Sequence, residues 1–152
     1  MKHPLLLALF AAIAAEGVAY ACSCMTTDDP AELRQFAGEA AKDAVALVEA
    51  EAMTAFEPGQ GERMAVRQTL AGSAPAEFQV ERGPSPSSAS CDDLYPAGER
   101  RVMILYPVEA TAGELPIYRT SGLCTNLLLS KPIFRDSVRT QIDGPMTGGE
   151  RG

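Results

Sequence analysis

Two cysteines one residue apart, Cys22 and Cys24, follow directly on the triplet Ala19-Tyr20-Ala21. That arrangement constrains this chain more than any other feature. Lys2 and His3 give a short positive start, Pro4 to Ala15 is an apolar run of mostly Leu and Ala, and Ala19-Tyr20-Ala21 is an A-x-A cleavage site. Residues 1–21 therefore read as a secretory signal, and cleavage after Ala21 makes Cys22 the first residue of the mature protein. The apolar run is too short for a bilayer, which needs about 20 residues. No later stretch is apolar for long enough either. The expected compartment is secreted, periplasmic or extracellular. A cysteine after the cut also suits lipid attachment, but Ala-Tyr-Ala lacks the usual Leu three residues before it. A released protein is the preferred reading, and a lipid anchor on Cys22 the lesser one.

Export places the cysteines where disulfides persist, and an even count reads as a framework of bridges. The chain has four cysteines, Cys22, Cys24, Cys91 and Cys124. An extended Cys-x-Cys points both side chains to one face. It is poorly placed to close on itself, because a disulfide needs a set separation and torsion. Two connectivities stay open. In either, each bridge closes a loop of many tens of residues and contributes on the order of 4 kcal/mol in the chain-entropy model. A structural zinc site would draw its ligands from closer pairs such as C-x₂-C, so zinc held by these four is disfavoured.

Composition narrows the function. The net charge of −7 is spread along the chain, with no basic stripe to meet a phosphate backbone, so nucleic acid is not an expected partner. The one histidine, His3, lies in the signal. The mature chain thus has no Ser-His-Asp or Cys-His pair, no histidine base and no histidine metal ligand. Asp92-Asp93 is an adjacent acidic pair, but sequence neighbours usually diverge in space, and it reads as a solvated loop. There is no glycine-rich phosphate loop. No enzyme activity is expected, and no cofactor is called for.

Asp29 suits an N-cap, Pro30 the first helical position, and Glu32 lies three after the cap. Leu33, Phe36, Ala37, Ala40 and Ala44 recur at helical spacing, which predicts a helix over about 30–42 with Leu33 and Phe36 inward. Residues 44–56 can begin a strand at Val45, Leu47 and Val48 or, through Ala and Glu, extend the helix; the strand is preferred only on the resemblance given below. Alternation over 62–70 predicts the second strand of a hairpin and over 76–81 a third. Residues 83–90 are a Pro- and Ser-rich loop. RRVMILY, 100–106, is the most apolar strand and is expected to be central and buried. Residues 115–118 predict an edge strand because of Pro116. Residues 125–129 are a last apolar stretch, and from Asp136 the polar, Gly-rich chain is expected to fray. The domain division is then a signal over 1–21, one domain over 22–135, and a flexible tail over 136–152. The class is mainly β: a small barrel or sandwich with an accessory N-terminal helix.

Several blocks carry a resemblance. Cys22-Ser23-Cys24 stands at the mature start, followed by the helix and the strand AVALVEAEA. MAVRQTLAGS looks like a strand ending in a Leu-x-Gly turn. SCDDLYPAGERRVMILY and GLCTNLLL supply a Ser-Cys block and a closing cysteine. In this order they resemble the tissue inhibitors of metalloproteinases and the wider netrin-like modules, over about residues 22–130. The resemblance implies an OB-fold-like β-barrel with bridges Cys22–Cys91 and Cys24–Cys124. It further implies that the Cys22 amine and carbonyl chelate the zinc of a target metalloprotease, while Ser23 enters its specificity pocket. The alternative within the same resemblance is a non-inhibitory netrin-like binding module of the cell envelope, in which Cys22-Ser23-Cys24 simply closes the barrel.

Overall fold

A computed structural model describes residues 24, 26–57, 61–82, 94–109 and 115–144. Helix α1, Pro30–Ala41, leads into strands β1, Ala46–Ala52, β2, Arg63–Gly72, and β3, Glu77–Val80. Strands β4, Arg100–Pro107, and β5, Ile117–Thr120, follow, and helices α2, Leu123–Leu129, and α3, Pro132–Asp143, end the described chain. The strands close a mixed barrel in the order β1-β2-β3-β5-β4. Every pairing is antiparallel except β3 with β5.

Local chemistry explains the first helix. The Asp29 carboxylate accepts from the amides of Ala31, at 2.8 Å, and Glu32, at 3.1 Å. These amides have no partner inside the helix, and a side-chain cap satisfies them. Glu32 does not reach back to the cap as a capping box would. Its carboxylate instead accepts from the Thr27 hydroxyl, which in turn accepts the Asp29 N–H at 3.1 Å. Leu33 and Ala37 are buried on the inner face of the helix, and Phe36 is half-buried.

Period-two alternation sorts β1 between two cores. Ala46, Val48, Ala50 and Ala52 point into the barrel, while Leu47 points out toward the helices. A five-stranded barrel has a narrow interior, and small residues beside a few large ones fill it. The four alanine and valine positions of β1 share that interior with Met64, Phe78, Met103, Leu105 and Tyr95. The outer core joins Leu47 and Ile104 to Leu33, Ala37, Leu128, Leu129, Phe134 and Val138 of the three helices. Strand β4 is buried on both faces for this reason, with Met103 inward and Ile104 outward.

Some expectations need correction. A closed barrel has no central strand, so β4 is one of five equivalent members, and its two-sided burial comes from the helices outside it. Strand β5 is not an edge, since it pairs with both β3 and β4. Pro116 lies just ahead of it, where a missing N–H costs nothing, and its carbonyl accepts from the Gln79 amide at 2.9 Å. The stretch 125–129, read only as apolar, lies in a helix, with Leu128 and Leu129 buried. Finally, the chain does not fray at Asp136. Helix α3 runs on to Asp143, starting at Pro132, and Phe134, Val138 and Ile142 recur every four residues against the outer core. The Gly72 amide donates to Asp143 Oδ1 at 2.9 Å and fastens the far end of this helix to the barrel. The helical part is therefore three helices, not one accessory element.

Candidate functional site

The sequence places the site at the chain start. Cys22 and Ser23 lie outside the described residues, as does Cys91, so the expected bridge Cys22–Cys91 does too. Cys24 is described and is bonded to Cys124, with Cα atoms 5.2 Å apart across a sequence separation of 100 residues. Cys124 is the second residue of α2. Cys24 is thus anchored to a helix on the outer face of the barrel. A disulfide of this kind fits an oxidising compartment.

A second anchor follows closely. Lys131, the residue preceding α3, donates from Nζ to the Thr27 carbonyl at 2.8 Å and pairs with the Asp28 carboxylate. Asp28 itself is almost wholly exposed, whereas only 27% of the Lys131 side chain is. Thr27 and Asp28 are therefore held on the α2–α3 junction between the disulfide at Cys24 and the cap of α1 at Asp29.

Beside the disulfide lies a groove of about 320 Å³, walled by Phe36 and Ala40 of α1, Cys124, Thr125 and Leu128 of α2, and Phe134 of α3. Glu39 stands at its rim as the one charged lining residue. The groove is otherwise mainly apolar.

A buried polar network supports the same end of α2. Glu62 is fully buried, and its carboxylate accepts both Nε and Nη2 of Arg82 at 2.8 Å. It also accepts the Tyr95 amide at 3.1 Å, and the Arg82 guanidinium lies 5.3 Å from the Tyr95 ring centre. Burial by itself would push the Glu62 carboxyl up. The two Arg82 hydrogen bonds and the amide donors outweigh that and hold it below the usual carboxylate range. The Tyr95 hydroxyl lies 3.3 Å from Thr120 Oγ1 and accepts from Asn126 Nδ2 at 3.3 Å. Asn126 Nδ2 also donates to the Ser121 carbonyl at 3.1 Å, Asn126 Oδ1 accepts from the Ser121 hydroxyl, and Ser121 Oγ accepts the Ile104 amide at 3.0 Å. These donors and acceptors thus link the residue ahead of β2, the approach to β4, the end of β5 and α2.

Neither Lys131 nor this network is legible as a site in the sequence. Lys131 meets Asp28 across 103 residues, and Glu62 meets Tyr95 across 33. The only local cue is Pro132, which marks a helix start beside Lys131.

Among the described residues, no group of three or more His, Cys, Asp or Glu side chains is placed to hold a metal, and no helix is long and apolar enough to cross a membrane. The chain matches no family profile, no curated protein and no solved structure.

Proposed function

We propose that the mature protein is a secreted, OB-fold-like inhibitor of zinc metalloendopeptidases, acting through the backbone of Cys22. The observation that carries this reading is the Cys24–Cys124 bridge, which fixes the second residue after the expected chain start to α2. A catalytic zinc has three protein ligands and one open position. The N-terminal amine, with a reference pKa near 7.7–8.0, is partly unprotonated at neutral pH. With the Cys22 carbonyl oxygen it can close a five-membered chelate on that open position. Ser23 then projects into the adjoining specificity pocket. A fixed terminus suits this role, because ordering a loose one would consume binding free energy.

The five-strand order with its single parallel pair supports the OB-like frame. The second bridge, Cys22–Cys91, belongs to the same proposal.

Mass spectrometry of the exported protein tests the reading. A chain starting at Cys22, with an unmodified amine and no free thiol, is the expected result. A start at another residue, or an acyl group on Cys22, overturns it.

The apolar groove favours a second reading, a non-inhibitory binding module of the cell envelope. Acylation of Cys22 is the outcome that would favour it.

A further inference from the structure

A pocket of about 210 Å³ opens where the start of β4 meets the junction of α2 and α3. Arginines line it from two elements: Arg100 and Arg101 at the head of β4, and Arg135 in the first turn of α3. No acidic residue lines it, although the chain as a whole carries a net charge of −7. Val102 and Leu129 supply apolar wall.

The nearby carboxylates do not neutralise these cations. Glu51 Oε2 accepts Nε of Arg100 at 2.8 Å and Nε of Arg67 at 3.0 Å, so one carboxylate serves two guanidiniums. Glu99 pairs with Arg101. The half-buried Arg135 side chain makes no ion pair and no hydrogen bond among the described residues. Like charges gathered around one cavity repel, and an anion seated between them relieves that repulsion. The polar neighbours are already engaged. Asn126 Nδ2 donates to the Tyr95 hydroxyl and the Ser121 carbonyl, and the Ser130 hydroxyl donates to the Leu127 carbonyl at 2.7 Å. What faces the pocket with hydrogen-bonding capacity to spare is guanidinium: the terminal nitrogens of Arg100 and the whole fork of Arg135. Such forks match the paired oxygens of phosphate, sulfate and carboxylate groups.

We propose that this pocket binds a small oxyanion carrying two negative charges, held between Arg100 and Arg135. Phosphate, sulfate and dicarboxylates share that chemistry. The site lies on α2, α3 and β4, and nothing in it depends on the reading of Cys22. An anion there joins three elements of the folded state and so stabilises it by mass action.

The test uses the full disulfide-bonded protein, titrated with inorganic phosphate, sulfate and succinate, with chloride and acetate as monovalent controls at equal ionic strength. Arginine ¹H–¹⁵N Nε shifts locate the site, and the midpoint of thermal unfolding reports binding independently. Saturable shifts of Arg100 and Arg135 at about millimolar dianion are expected, with a raised midpoint and little response to the monovalent ions. Preference for phosphate and sulfate assigns the pocket to tetrahedral oxyanions; preference for succinate assigns it to dicarboxylates, whose apolar stem Val102 and Leu129 would meet. Arg135→Gln is expected to weaken binding roughly tenfold to a hundredfold. Arg100→Gln, at a side chain 60% exposed, keeps the fold and is expected to weaken it as well. Arg139→Gln removes the same charge one turn further along α3, outside the pocket, and is expected to leave binding unchanged. Absence of a saturable shift at Arg135 overturns the inference. So does equal weakening by all three variants, unchanged binding in Arg100→Gln and Arg135→Gln, or chloride acting as well as phosphate, each of which marks general screening of surface charge.

Discussion

At the residue scale, the most demanding interaction is the pair Glu62–Arg82. Both side chains are nearly or wholly removed from water, with 0% and 7% exposed. Removing one partner of such a pair leaves the other uncompensated and costs about 3–5 kcal/mol. Arg82→Met is therefore expected to lower the unfolding free energy by about 3 kcal/mol in urea titrations at pH 7. The pH dependence has a definite sign. The Glu62 carboxyl is held below its unfolded value, so its contribution is complete above about pH 4–5 and is lost as pH falls through the lower folded value. Stability should then fall between pH 5 and pH 3 in the parent, and fall less steeply in Glu62→Gln, which no longer titrates there. Glu51, held low by Arg100 first and then Arg67, leaves a residual slope of the same sign. Gly61 adjoins this pair. A Cβ there would lie 1.7 Å from the Val80 carbonyl oxygen. Gly61→Ala is expected to cost about 1–3 kcal/mol, read as a lowered urea midpoint.

At the scale of elements, the sequence was most readable where short-range chemistry decides the outcome. Asp29-Pro30 marks the start of α1 because cap and first turn are adjacent in sequence. Alternation marks β2 and β3 because each has one face in the barrel, whereas the Ala- and Glu-rich run of β1 is equally compatible with a helix. The errors arise where a distant neighbour decides. Residues 132–143 are polar on average, and only Phe134, Val138 and Ile142 reveal a helix, because their partners are α1 and the outer face of β1 and β4. Pro116 signals an edge in isolation, yet it precedes a strand that pairs on both sides. The contact of Lys131 with Thr27 and Asp28 had no local signature beyond Pro132 beside it. Two changes test the helices directly. Phe134→Ala should cost about 3–5 kcal/mol, since Phe134 is 1% exposed, whereas a residue at the edge of a frayed tail would cost almost nothing. Gly38→Ala in α1 meets nothing within 4 Å and should add about 0.5–1 kcal/mol. Thermal melts of the two variants should therefore move in opposite directions.

At the scale of the whole molecule, the segment around Cys24 and the C-terminal helices lie together on the outside of a barrel. The Cys24–Cys124 bridge joins them across 100 residues of chain. A loop of that length contributes about 4–5 kcal/mol through the unfolded state, so Cys24→Ser/Cys124→Ser should lower the urea midpoint substantially. The central claim concerns what this arrangement is for, and it turns on the position of one nitrogen atom. The most direct measurement compares inhibition of a zinc endopeptidase panel by the mature protein and by a form carrying one additional alanine before Cys22, both with intact disulfides. Inhibition by the mature protein and its loss, by a hundredfold or more, on adding one alanine is the predicted result, about 3 kcal/mol or more of lost binding. Equal inhibition by the two forms would contradict the account.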